Sequence, residues 1–99
     1  MFVKLYRYKI KTKDFEKWKK NNDEAWKIYL CDSKTDYKRL IKKGKIKTEI
    51  IELGFYNSKS DYTNLMKNLN KNKQLGLLFK NFLKIAVNEK FIEEQFETI

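Results

Sequence analysis

Residues 46–56 read IKTEIIELGFY, and the alternation within them decides how the rest of the chain is interpreted. At the two-residue period of a strand, Ile46, Ile50 and Tyr56 fall on one side while Ile51, Leu53 and Phe55 fall on the other. A strand that is apolar in both directions needs cover on both faces. Residues 35–42 are also rich in β-formers, and the two stretches flank Lys43-Gly44-Lys45. This reads as strand, turn, strand, with Gly44 expected to supply the positive φ of a tight hairpin.

Upstream, residues 2–10 alternate as Phe2, Lys4, Tyr6, Tyr8 and Ile10 on one side and Val3, Leu5, Arg7 and Lys9 on the other, which predicts a first strand. Thr12 is placed to cap a helix whose first turn carries Asp14 and Glu16, favourable beside the helix dipole. That helix is expected to run to about residue 30, with Phe15, Trp18, Ala25, Trp26, Tyr29 and Leu30 as its apolar face. Asn21, Asn22 and Asp23 interrupt the pattern and predict a kink or break, so the segment reads as one helix or two short ones.

Downstream, Ser58 and Asp61 stand at capping-box spacing and predict a helix starting near residue 59, carrying Tyr62, Leu65, Met66 and Leu69. The polar run 68–73 interrupts it. Leu75, Leu78, Phe79, Phe82, Leu83 and Ala86 then recur at helical spacing, a stripe expected to pack on the sheet. Residues 90–98 read as a closing strand. The order βαββαβ is that of an α+β, ferredoxin-like fold with a four-stranded antiparallel sheet.

Two helices can cover only one face of such a sheet, and the other face here is not polar. A large exposed apolar patch is rare on a monomer, so the strands predict a homodimer joined through the sheet face. The monomer alternative relies on Lys4, Lys47, Glu49 and Glu52 to keep both faces soluble.

At 99 residues, 41 % of them hydrophobic and 15 % aromatic, the chain suits one domain spanning residues 1–99 with one core. No stretch approaches the roughly 20 apolar residues of a membrane span, and Lys4, Arg7 and Lys9 break the run a signal peptide would need. A cytoplasmic protein with no membrane partner is expected. The lone Cys31 cannot form an internal disulfide, and with no His there is no Cys/His metal set.

The net charge of +10 lies entirely in the first half: residues 1–47 hold 16 Lys/Arg against 6 Asp/Glu, and residues 48–99 hold 7 of each. Clustered lysine can mark a polyanion surface. Only 2 of the 23 basic residues are Arg, the side chain suited to bidentate phosphate and base contacts, and 9 Asn with 9 Ile accompany the lysines, as an AT-rich coding bias produces. A solvated surface is the favoured reading, and nucleic acid is disfavoured as a partner. An RNA recognition motif shares this order of elements, but the third strand lacks that motif's Lys/Arg-Gly-aromatic signature.

Several segments together resemble the antibiotic biosynthesis monooxygenase-like superfamily of dimeric α+β barrels. They are FVKLYRYKI over residues 2–10, Glu24-Ala25-Trp26 with Tyr29, Tyr37 opening the second strand, and Tyr56-Asn57-Ser58 followed by Tyr62. In that family a Trp-x-Ser segment, with an aromatic four residues after the Ser, follows the third strand; Ser58 and Tyr62 match, and Tyr56 stands at the Trp position. The resemblance implies a homodimer with an apolar pocket between sheet and helices in each subunit. It also implies kinship with enzymes that oxidise aromatic polyketides without metal or flavin, so no cofactor is expected. The haem-degrading branch binds iron through a His, which this chain does not have.

No Gly-rich phosphate loop, nucleophile elbow or His/Cys dyad occurs, and no catalytic residue can be assigned. The candidate ligand pocket is an aromatic set: Tyr6, Tyr8, Trp26, Tyr29, Tyr56, Phe79 and Phe82. Such walls supply dispersion and exclude water, while tyrosine hydroxyls can hydrogen-bond a phenol or quinone. The same residues would equally build a small core. Arg7 and Arg39 could hold an anionic group or form surface ion pairs. The function expected is binding or metal-free oxidation of a small aromatic or apolar ligand, against the alternative of a non-catalytic structural or regulatory dimer.

Overall fold

A computed structural model describes residues 1–31 and 35–99, with residues 88–90 by backbone alone. The elements are β1 (Phe2–Lys11), α1 (Phe15–Tyr29), β2 (Thr35–Lys43), β3 (Lys47–Tyr56), α2 (Lys59–Leu69), α3 (Lys73–Ile85) and β4 (Ala86–Glu97). The four strands form one antiparallel sheet in the order β2-β3-β1-β4. The α+β, ferredoxin-like arrangement read from the sequence is the one found.

Strand parity sets the two faces. Phe2, Lys4, Tyr6, Tyr8 and Ile10 of β1 pair with Tyr56, Gly54, Glu52, Ile50 and Thr48 of β3 and point toward the helices. Val3, Leu5, Ile51, Leu53 and Phe55 point the other way, where no helix of the described chain packs. The helix side holds two core clusters. Phe2, Tyr56, Leu65 and Leu69 form one, under α2, and Tyr8, Ile10, Trp18 and Ile50 form the other, near α1 and α3.

Several local expectations are corrected. Thr12 does not cap α1: residues Thr12–Asp14 form a 3-10 turn, Asp14 is the N-cap residue, and its side chain makes no capping bond. The Thr12 hydroxyl instead donates to the Gly44 carbonyl at 2.8 Å and is hydrogen-bonded to Thr48 Oγ1 at 2.9 Å. Helix α1 continues unbroken through Asn21, Asn22 and Asp23, because Asn22 is buried and bonded rather than solvent-facing. Gly44 has no positive φ. Glycine is needed there because a Cβ would lie 2.4 Å from the Lys47 carbonyl oxygen.

Ile46 lies in the turn before β3, not in the strand. Strand β4 begins at Ala86 rather than residue 90, so Ala86 leaves the helical stripe. Of that stripe Leu78 is buried, whereas Phe79 and Leu83 are exposed, since α3 packs chiefly on α1 rather than flat on the sheet. The expected cap of α2 forms, Ser58 accepting from the Asp61 N–H, and α3 has a cap that was not expected, Asn72 accepting from the Leu75 N–H.

Candidate functional site

The α1 face toward the sheet is set by residues four apart, Trp18, Asn22 and Trp26, all buried. Below them, at the middle of β3, lies Glu52, only 6 % exposed. Three donors converge on its carboxylate: Tyr8 Oη to Oε2 at 2.7 Å, Asn22 Nδ2 to Oε1 at 2.7 Å, and Trp26 Nε1 to Oε1 at 2.6 Å. Trp18 Nε1 in turn donates to Tyr8 Oη at 2.7 Å. Asn22 Oδ1 accepts from Tyr37 Oη at 2.6 Å and from Arg39 at 3.1 Å, and Arg39 pairs with Asp23 at 2.6 Å.

Local backbone choices make room for this arrangement. Gly54 lies two residues beyond Glu52 on the same face, and a Cβ there would come 3.2 Å from the Trp26 ring and 2.9 Å from Tyr56 Oη. Trp26 also stacks on Tyr37 with ring centroids 3.7 Å apart. Burial, reinforced by the nearby Glu52 carboxylate, pushes the pKa of Tyr8 well above the ordinary phenol value, and Tyr37 is raised for the same two reasons. Both hydroxyls therefore act as donors at neutral pH. Every buried side-chain N or O of the described residues has a partner. A network satisfied in this way rigidifies the core and holds both oxygens of Glu52 in hydrogen bonds.

A second group opens to solvent between α3 and β4. Tyr8 packs edge-on against Phe82 at 4.9 Å and stacks on Phe91 at 5.8 Å; Tyr6 lies 6.1 Å from Phe91, and Phe79 lies 6.1 Å from Phe82. Phe79 is 58 % and Phe91 47 % exposed, so this row of rings runs from the core to the surface. Beside it Lys4, 8 % exposed, pairs with Glu93 at 2.7 Å and lies over the rings of Tyr6 and Tyr62 at 5.8 and 5.5 Å.

The seven candidate pocket residues thus fall into separate places. Tyr6, Tyr8, Phe79 and Phe82 belong to the open row, Trp26 packs on Tyr29 and Tyr37, and Tyr56 packs on Tyr62 with Tyr29 beside the same cluster. Lys4 and Glu52, counted in the sequence as solubilising charges, are both buried and paired. Glu52, Asn22, Trp18 and Phe91 were missed. Parity placed Glu52 beside Ile50 and Tyr56, and the four-residue spacing aligned Asn22 with both tryptophans, so their faces were legible although their bonds were not. Arg39 forms the ion pair expected of it, while Arg7 lies on the helix-free face.

Two clefts indent the surface away from the row. One, of about 450 Å³, lies between α1 and α3 and includes Lys17, Lys20, Asn21 and Lys84; the other, of about 550 Å³, lies at the β2 edge beside Tyr37, Phe55 and Tyr56. Among the described residues no group of three or more His, Cys, Asp or Glu could hold a metal ion, and no helix is long and apolar enough to cross a membrane.

No protein-family model and no curated protein matches this chain in sequence. Solved structures match it in shape. An uncharacterised NIPSNAP domain protein from Burkholderia xenovorans superposes with a TM-score of 0.77 at 13 % identity, covering 100 % of this chain and 95 % of its own. An antibiotic biosynthesis monooxygenase gives 0.71 at 8 % identity, covering 100 % and 99 %. SnoaB, a cofactor-independent oxygenase from Streptomyces nogalater, gives 0.69 at 4 % identity, covering 98 % and 91 %. At such identities the likeness speaks to architecture alone. The chain has the fold seen in antibiotic biosynthesis monooxygenase and NIPSNAP domain structures.

Proposed function

We propose that this chain acts as one domain in a homodimer joined sheet to sheet, and that each subunit binds a small aromatic or otherwise apolar ligand along the ring row between α3 and β4. The observation that carries the reading is the pair of uncovered apolar surfaces. Val3, Leu5, Leu40, Ile51, Leu53, Phe55, Ile92 and Phe96 share the helix-free face of the sheet, too much apolar surface for a lone domain to leave wet. On the helix side, Phe79 and Phe91 remain exposed at the end of a stacked row that begins in the core.

Binding is better supported than catalysis. Glu52 is the buried carboxylate nearest the rings, its oxygens are engaged by three donors, and the sequence contains no His to serve as a base. Similarity to a cofactor-independent oxygenase supports an aromatic ligand and its oxidation only through shared architecture. The non-catalytic dimer is the second reading, favoured by the way Trp26 stacks on Tyr37 and Tyr56 packs on Tyr62, each ring filling space that a ligand would need.

Light scattering on the purified protein should give twice the 12.1 kDa chain mass. Titration with 1-naphthol and with a naphthoquinone should quench tryptophan fluorescence saturably, and Phe79→Ser should weaken that binding about tenfold, worth ~1.4 kcal/mol, without loss of fold. A single-chain mass would remove the dimer. Absence of saturable quenching by either probe would leave only the non-catalytic dimer.

A further inference from the structure

We propose that the end of the sheet formed by the β2–β3 turn is a docking surface for an anionic lipid bilayer. The sequence spreads its lysines along the first half of the chain, but the fold gathers them. Lys9 and Lys11 at the end of β1, Lys13 in the 3-10 turn, Lys42 and Lys43 at the end of β2, Lys45 in the turn and Lys47 at the start of β3 all lie at this one end, and all are exposed. Glu49 and Asp14 stand among these seven lysines, so the nine side chains together sum to +5, against +10 for the chain. In the register Lys11 stands directly opposite Lys47.

At the apex of this basic end is an aliphatic side chain. Ile46 is 79 % exposed, flanked in sequence by Lys45 and Lys47. Its position is fixed from behind: the Thr12 N–H donates to the Ile46 carbonyl at 2.8 Å, Thr12 Oγ1 donates to the Gly44 carbonyl at 2.8 Å, and the Gly44 N–H donates to the Lys47 carbonyl at 3.1 Å. The turn is therefore held in place before it meets a partner, which lowers the ordering cost of docking.

The chemistry distinguishes between polyanions. A phosphodiester chain would be gripped by the lysines, but it offers nothing to an aliphatic apex, and the turn sequence KKGKIK contains neither the aromatic platform nor the Arg that single-stranded nucleic acids use. A bilayer offers both a negative surface for the lysines and an acyl region for Ile46. Such a peripheral contact requires no spanning segment.

Co-sedimentation of the full chain with phosphatidylcholine vesicles, with and without one-third phosphatidylglycerol, tests this. Binding is expected only to the anionic vesicles and should weaken at least about tenfold when salt rises several-fold, as screening requires. Lys42→Gln with Lys45→Gln, and separately Ile46→Ser, should each lower vesicle affinity about tenfold while circular dichroism and molecular mass stay unchanged. No binding to anionic vesicles overturns the proposal. So does unchanged vesicle binding by Ile46→Ser alongside equally tight capture of a mixed-sequence oligonucleotide, which would assign this end to nucleic acid. A fall in mass for Ile46→Ser would also overturn it, by placing the residue between two copies of the chain.

Discussion

Trp26 and Glu52 are 26 residues apart in the chain, yet the indole Nε1 of one lies 2.6 Å from Oε1 of the other, and Asn22 Nδ2 donates to that same oxygen. One carboxylate thus ties α1 to the centre of the sheet. Replacing it with Leu would strand the donors of Tyr8, Asn22 and Trp26 in the interior. Glu52→Leu should cost about 3 kcal/mol or more of the roughly 5–15 kcal/mol such a domain has, read from urea unfolding. Glu52→Gln keeps a carbonyl for Trp26 and Asn22 and alters only the Tyr8 contact, so a loss of about 1 kcal/mol is expected. Equal losses for the two variants would show that the network does not act as described.

Alkaline stability follows from the tyrosines. Tyr6, Tyr8, Tyr29, Tyr37 and Tyr56 all have pKa values raised in the folded chain, with burial the leading cause in each. The unfolded chain releases these protons near pH 10 and the folded chain holds them, so stability is fully present below about pH 10 and declines as pH rises beyond it. In a pH titration, most tyrosinate absorbance at 295 nm should appear together with loss of the far-ultraviolet dichroism. Early ionisation with the fold intact would contradict the buried placement.

The helix-free sheet face makes its own prediction. Leu53 lies in mid-strand on that face, directly opposite Leu5 of β1. A charge there would be harmless in a monomer and severe in an interface. Leu53→Asp should raise the dimer dissociation constant roughly a hundredfold, worth ~2.7 kcal/mol, in sedimentation at micromolar concentration. An unchanged mass distribution would mean that the sheets do not meet there.

Two glycines should respond with opposite sign. A Cβ at Gly44 would meet the Lys47 carbonyl at 2.4 Å, whereas nothing lies within 4 Å of a Cβ at Gly76 in α3. Gly44→Ala should destabilise by about 1–3 kcal/mol as the hairpin shifts. Gly76→Ala should stabilise by about 0.5–1 kcal/mol, raising Tm by a few degrees. Calorimetry on both variants checks the pair.

Periodicity settled the elements of this chain because side-chain direction along a strand or helix is fixed by backbone geometry, whatever packs above it. The alternation from Phe2 to Ile10 and in IKTEIIELGFY, the Ser58 cap and the polar break before Lys73 were therefore readable directly, and with them the order βαββαβ. What the sequence left open depended on partners distant along the chain. Asn22 looks like a helix breaker until Glu52 and Tyr37 supply its hydrogen bonds, Glu52 looks like a surface charge until α1 closes over it, and Thr12 looks like a cap until Gly44 and Thr48 take its hydroxyl. A polar side chain is buried or exposed according to whether donors and acceptors meet it in space, and that is decided by tertiary structure alone.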